Sequence, residues 1–239
     1  GGSGWAPRGA MMAAILSSTD EPSPPMESTG TPPASPRSRR AVVGAWVLGA
    51  LVILTVGAFF TNRALYRQSF TRLVEATRTA EGAPVWVDYF VAEDCLFATV
   101  VDRGDPEAVY RDALSVLDQT DLLAAHVRSS LSVFAGLSFL PTQRPLAGAR
   151  DAIAGHYRVW GNHLASIQPV LSGLSADRGV LGPALGAWIE VVAGASEEIR
   201  TTFEAAEAAL VAAAHDDPAR QEVDRLFTPS EAQCSRGAV

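Results

Sequence analysis

Lysine is absent from this 239-residue chain: all 19 basic residues are arginine, set against 26 acids for a net charge of −7. Without lysine there is no P-loop, which needs one against the phosphates. The acidic balance argues against a nucleic-acid binder. The absence itself reads as a GC-rich coding bias, since it carries no chemistry of its own. Cysteine is nearly absent too, with 2 residues, which excludes a cysteine-dense secreted scaffold. Charged residues reach only 19% while hydrophobic residues make up 48%, so a collagen-like or wholly disordered chain is excluded.

What is present falls into three zones. Residues 1–40 hold 7 of the 15 prolines and many serines and threonines, too little apolar surface to offset chain entropy. They read as a disordered cytoplasmic head. Its first ten residues, GGSGWAPRGA, read as an appended linker, with Met11 or Met12 as a more natural start. Residues 41–61, AVVGAWVLGALVILTVGAFFT, carry no charge. At 1.5 Å per residue they cover about 30 Å, the thickness of a bilayer's hydrocarbon core. A buried helix of a soluble protein would show a polar stripe, so this segment reads as a transmembrane helix. From residue 62 onward, 15 arginines face 23 acids and no second uncharged run appears. The chain is expected to cross the membrane once, with the lipid bilayer as its first partner.

Flanking charge leaves the orientation open: Arg37, Arg39 and Arg40 precede the span, and Arg63, Arg67 and Arg72 follow it. The cysteines decide instead. Cys95 stands near the start of the soluble zone and Cys234 near its end, and a pair with no leftover suits a single disulfide. Disulfides persist in oxidising compartments, so the C-terminal part is placed outside the cytoplasm. A cleaved signal peptide is disfavoured, because the apolar stretch runs on through Phe59 and Phe60 beyond an ordinary signal core.

The fold class expected is all-α: a single N-terminal transmembrane helix followed by an antiparallel bundle of about four core helices plus short C-terminal helices. Residues 62–82 read as a stalk helix and 83–239 as the bundle. Asp105-Pro106-Glu107 is a helix start. From there Val109, Ala113, Val116, Thr120, Leu123, Val127, Ser130, Phe134 and Leu137 alternate by four and three. Ile153, Tyr157, Trp160, Leu164, Ile167, Leu171 and Leu174 repeat that spacing, as do Leu185, Ile189, Val192, Ser196, Ile199, Phe203, Ala206 and Leu210. Such periods imply shallow antiparallel packing. His215-Asp216-Asp217-Pro218 ends the third run and starts a short helix, and Thr228-Pro229-Ser230-Glu231 forms a capping box. Residues 84–101 are rich in β-branched and aromatic side chains, yet too long for one strand; Val85, Tyr89, Ala92, Leu96 and Thr99 favour a helix carrying Cys95.

Chemistry is sparse. No HExxH, no G-x-S-x-G elbow and no facing Glu-x-x-His pairs occur. His156 and His163 share a helix face but stand about 10 Å apart, too far for one metal ion. They read as rim histidines, each making a hydrogen bond. Glu93 and Asp94 beside Cys95 raise its pKa and oppose a nucleophilic role. Asp121–His126–Arg128 and Asp151–His156–Arg158 repeat one local pattern, with coincidence the plainer explanation. Among Trp86, Trp160 and Trp188, Trp160 sits in a seam. His126, His156, His163 and Trp160 are therefore the candidate contacts for a ligand or partner. Neither cofactor nor metal nor catalysis is expected. The function expected is a membrane-anchored scaffold that binds a protein partner in the cell envelope, with a ligand-binding bundle acting on another membrane protein as the alternative.

Overall fold

The computed structural model describes residues 36–102 and 105–226. Residues 1–35 of the head, the capping box at 228–231 and Cys234 lie outside these described residues. The helices are α1 (Pro36–Glu81), α2 (Pro84–Val101), α3 (Pro106–Gly136), α4 (Arg144–Ala176), α5 (Leu181–Ala213) and α6 (Asp217–Leu226). Single 3-10 turns precede α4 and α5, and no strand occurs among the described residues. The β-branched 84–101 segment is helical because one of its faces, with Tyr89, Ala92, Leu96 and Thr99, enters the core.

The chain divides into two compact units, one ending at Ile53 and the other beginning at Leu54. In the first, α1 starts at Pro36, ahead of the expected residue 41, and every side chain from residue 44 to 53 is exposed. In the second, α1 stays exposed through Leu65 and then turns inward. Phe70, Leu73, Val74, Thr77 and Ala80 are buried, so much of the expected stalk belongs to the core.

Within the second unit the contacts fix the path of the chain. Asn62 meets Thr142, Glu81 meets Tyr157, and Trp86 then packs on Trp160. The two helices α1 and α2 thus succeed one another along α4 in the same direction. Helix α3 returns antiparallel to α2, with Asp112 at Thr99 and His126 at Trp86. Helices α4 and α5 each reverse again, as the pairs Phe134–Tyr157 and His156–Thr202 require. Short connections favour such neighbours. The end of α5 and helix α6 both close against α1: the Tyr66 hydroxyl donates to the carbonyl of Ala213, the last residue of α5, at 2.8 Å, and Arg78 reaches Glu222 of α6 at 2.7 Å. The Asp216 carboxylate accepts the Ala219 amide at 3.1 Å and caps α6.

The seams of α3 and α4 are buried from Val109 to Phe134 and from Ile153 to Leu174, whereas Leu137, expected to extend the α3 seam, is the half-buried C-cap just beyond the helix, where the backbone turns extended. Helix α5 departs from expectation. Its N-terminal half turns Ala184 and Trp188 inward, and Ile189 is 41% exposed where Trp188 is 1% exposed. The face is shifted by one residue because it buries the larger tryptophan ring, which removes more apolar area from water. Two stretches among the described residues, in Gly44–Val101 and Arg178–Ala213, are long and apolar enough to cross a membrane.

Candidate functional site

The richest cluster of side-chain chemistry lies where α1 gives way to α2. Helix α1 ends at Glu81, and the chain re-enters helix at Pro84. The carbonyl of Ala80 would ordinarily accept the amide hydrogen of residue 84, but proline has none. Two side chains take its place: the Trp86 indole donates to Ala80 O at 2.8 Å, and His126 Nε2 lies 2.9 Å from the same oxygen. That contact assigns the proton of His126 to Nε2. Gly82 belongs to the same joint, since a Cβ there would stand 2.8 Å from the Arg78 carbonyl.

Aromatic rings fill the space beyond. Trp86 meets Trp160 edge to face at 5.0 Å between centroids, Tyr157 at 6.1 Å and His126 at 6.3 Å. Phe90 and Tyr89 also pack on Trp160, at 5.8 and 6.2 Å, and His163 follows one turn later at 5.6 Å. Rings crossed in this way each contribute about 0.5–1.5 kcal/mol beyond burial.

Two carboxyl groups border these rings. The Tyr157 hydroxyl donates to Glu81 at 3.0 Å, and the Tyr89 hydroxyl donates to Glu93 at 3.4 Å. Burial raises the pKa of both acids against the opposing pull of the tyrosine bonds, and Glu93 rises to about 7. Burial and the neighbouring acid also push both tyrosines upward. Loss of water favours the neutral form of each group.

The histidines separate. His126, His163 and Trp160 border the Trp86 cluster, whereas His156 turns towards α5 and packs on Phe203 at 5.6 Å. The Thr202 hydroxyl donates to the Glu198 carbonyl, so its oxygen accepts from His156 Nδ1–H at 3.0 Å. Burial lowers the pKa of His156 to about 4 and that of His163 below the ordinary value. These are core histidines, which corrects their reading as rim residues, and Nδ1 of His163 is buried with no hydrogen-bond partner. The repeated Asp–His–Arg pattern forms no common site. Asp121 accepts from Gln168 and Asp151 from Arg150, while His126 and His156 bind unrelated partners.

No group of three metal-ligating side chains occurs among the described residues. Cys95 is half-buried on α2, and no free cysteine is found among the described residues. Sequence reasoning missed Glu81, Tyr89 and Glu93 as parts of this cluster. The available signal was Pro84 four residues after Ala80, which marks an orphaned carbonyl that nearby donors must satisfy. No protein-family model, curated protein or solved structure matches the chain.

Proposed function

We propose that this is a single-pass membrane protein whose helical bundle lies outside the cytoplasm and binds or scaffolds a protein partner without catalysis. The observation that carries the reading is the first apolar stretch of α1, of which none is buried within the protein. Leu48, Leu51, Ile53, Leu54, Phe59 and Phe60 are all more than 60% exposed, a surface that water does not tolerate and lipid accepts. The second apolar stretch, on α5, holds Glu190, Glu197, Glu198 and Arg200 and turns Trp188 and Leu210 into the core. Charges at the centre of a span cost about 2.5–3.5 kcal/mol each, which favours one crossing over two.

Outward placement rests on the proposed pairing of Cys95 with Cys234. Closing so long a loop stabilises the folded state by roughly 4–5 kcal/mol in the chain-entropy account. The non-catalytic reading is supported by how the buried polar groups are used. Glu81, Glu93, His126 and His156 each engage a neighbour within the bundle. One observation favours the alternative of a ligand-binding bundle: the unpartnered Nδ1 of His163 beside Trp160.

Purification from gently solubilised membranes tests the proposal. A stoichiometric protein partner is the expected result. A co-purifying small molecule with no such protein supports the alternative. Hydrolytic activity lost on His→Ala substitution overturns both.

A further inference from the structure

The turn between α3 and α4 sits beside the end of the apolar stretch of α1. Residues 54–61 are exposed on every side of that helix. The Thr61 hydroxyl donates to the Gly57 carbonyl at 2.9 Å, so this last polar group is satisfied within the helix. The next residue, Asn62, looks outward to the bundle: its Oδ1 accepts from the Thr142 hydroxyl at 3.2 Å. That bond sets the turn level with the place where the apolar surface ends.

The backbone of this turn is bonded internally. Arg150 Nη1 donates to the Leu137 carbonyl at 2.8 Å. The Leu140 amide donates to Gln143 Oε1 at 3.1 Å, and the Gln143 amide donates back to the Leu140 carbonyl at 2.8 Å. A backbone paired in this way loses little when water is displaced from it. Arg150 also lies over Phe139, its guanidinium carbon 5.7 Å from the ring centre. Leu140, 48% exposed, and Pro141 are left uncovered.

Charge here has one sign. Residues 62–74 and 129–150 contain five arginines and no acid. The acids at the borders are already paired: Asp151 with Arg150 at 2.7 Å and Asp216 with Arg67 at 3.2 Å, while Asp217 lies 4.0 Å from Arg220. Arg63 and Arg144 flank the Asn62–Thr142 contact, are exposed, and have no ion-pair partner among the described residues. One leucine and one proline are too small for a stable protein interface, which buries about 800 Å² on each partner. They suit the headgroup layer, where apolar side chains dip inward and arginines reach phosphates.

We propose that the α3–α4 turn is a second lipid contact, a foot on which the bundle stands: Leu140 and Pro141 enter the bilayer interface, and Arg63 and Arg144 bind lipid phosphates. The inference rests on the reading of residues 41–61 as a membrane span and extends it to the bundle.

The test uses the full chain in lipid discs of phosphatidylcholine with phosphatidylglycerol. A photo-crosslinking amino acid is placed at Phe60 in the apolar stretch, at Leu140, or at exposed Gln68, about 9 Å beyond Asn62 along α1. Lipid adducts are expected at Phe60 and Leu140 and not at Gln68. Arg63→Gln with Arg144→Gln should cut the Leu140 yield about tenfold and leave the Phe60 yield unchanged. Arg72→Gln, further from the turn, should change neither.

Lipid at Phe60 with none at Leu140 rejects the foot and spares the span. No lipid at Phe60 rejects both. Equal adducts at Leu140 and Gln68 overturn the inference, since they would report nearness to lipid and not a seated turn. A Leu140 crosslink to a second copy overturns it too. A Leu140 yield indifferent to the double substitution overturns the assignment of Arg63 and Arg144 to phosphates.

Discussion

Pro84 removes one amide hydrogen, and Trp86 and His126 converge on the carbonyl that it frees. Trp86→Phe keeps most of the ring packing but removes one donor. We expect a loss of about 1 kcal/mol in chemical denaturation; no change would mean that His126 alone satisfies the carbonyl. The buried titratable groups give a sharper test. His156 is held neutral down to about pH 4, so an unfolded chain binds more protons, and stability falls as pH drops from 6.5 towards 4. Glu93 has the opposite sign: its pKa is raised to about 7, so its contribution is full below 4.5 and is lost as pH rises through 7. The two slopes oppose each other between about pH 4.5 and 6.5. Glu93→Gln should therefore make the melting temperature fall more steeply towards acid across that window, and His156→Asn should reverse the tilt. Parallel shifts with unchanged slope would show that neither group titrates as its burial implies.

At the scale of the helix, the separate registers of the seams decide what each element does. Trp188→Ala should cost about 3–5 kcal/mol, the range for a large buried ring, whereas exposed Ile189→Ala should stay within about 0.5 kcal/mol. Denaturation midpoints compare the two directly, and equal losses would restore the register read from the sequence alone. That register was hard to read because Gly182, Ala184, Gly186 and Ala187 surround the tryptophan and give little apolar contrast. Helices α3 and α4 were legible because Val116, Leu123 and Val127, or Tyr157, Leu164 and Ile167, stand out from polar neighbours at each turn. The burial of Phe70, Leu73 and Val74 was only half visible, since a stalk and a core strip share one spacing. The cluster at the α1–α2 joint was still less legible. Its members come from four helices, and periodicity within one helix does not report which neighbours meet.

For the molecule as a whole, composition averages conceal a division of labour. The exposed apolar surface of α1 suits lipid, the seams of α1 to α6 form the core, and residues 84–121, with nine acids and two arginines, carry the charge imbalance of the sequence. The proposed disulfide belongs at this scale, since it would tie α2 to the C-terminal end of the chain. Reduction should lower the melting temperature of the full chain, and Cys95→Ser with Cys234→Ser should reproduce the shift; an unchanged melt would remove the disulfide from the account.

Placement of the bundle outside the cytoplasm is the claim on which the disulfide and the partner-binding reading both depend. Protease treatment of intact cells, followed by thiol alkylation with and without reductant, tests it in one measurement. The account predicts that the bundle is cleaved while the cells remain sealed, and that Cys95 and Cys234 resist alkylation until reductant is added. A bundle protected until lysis, with both thiols freely alkylated, would contradict it.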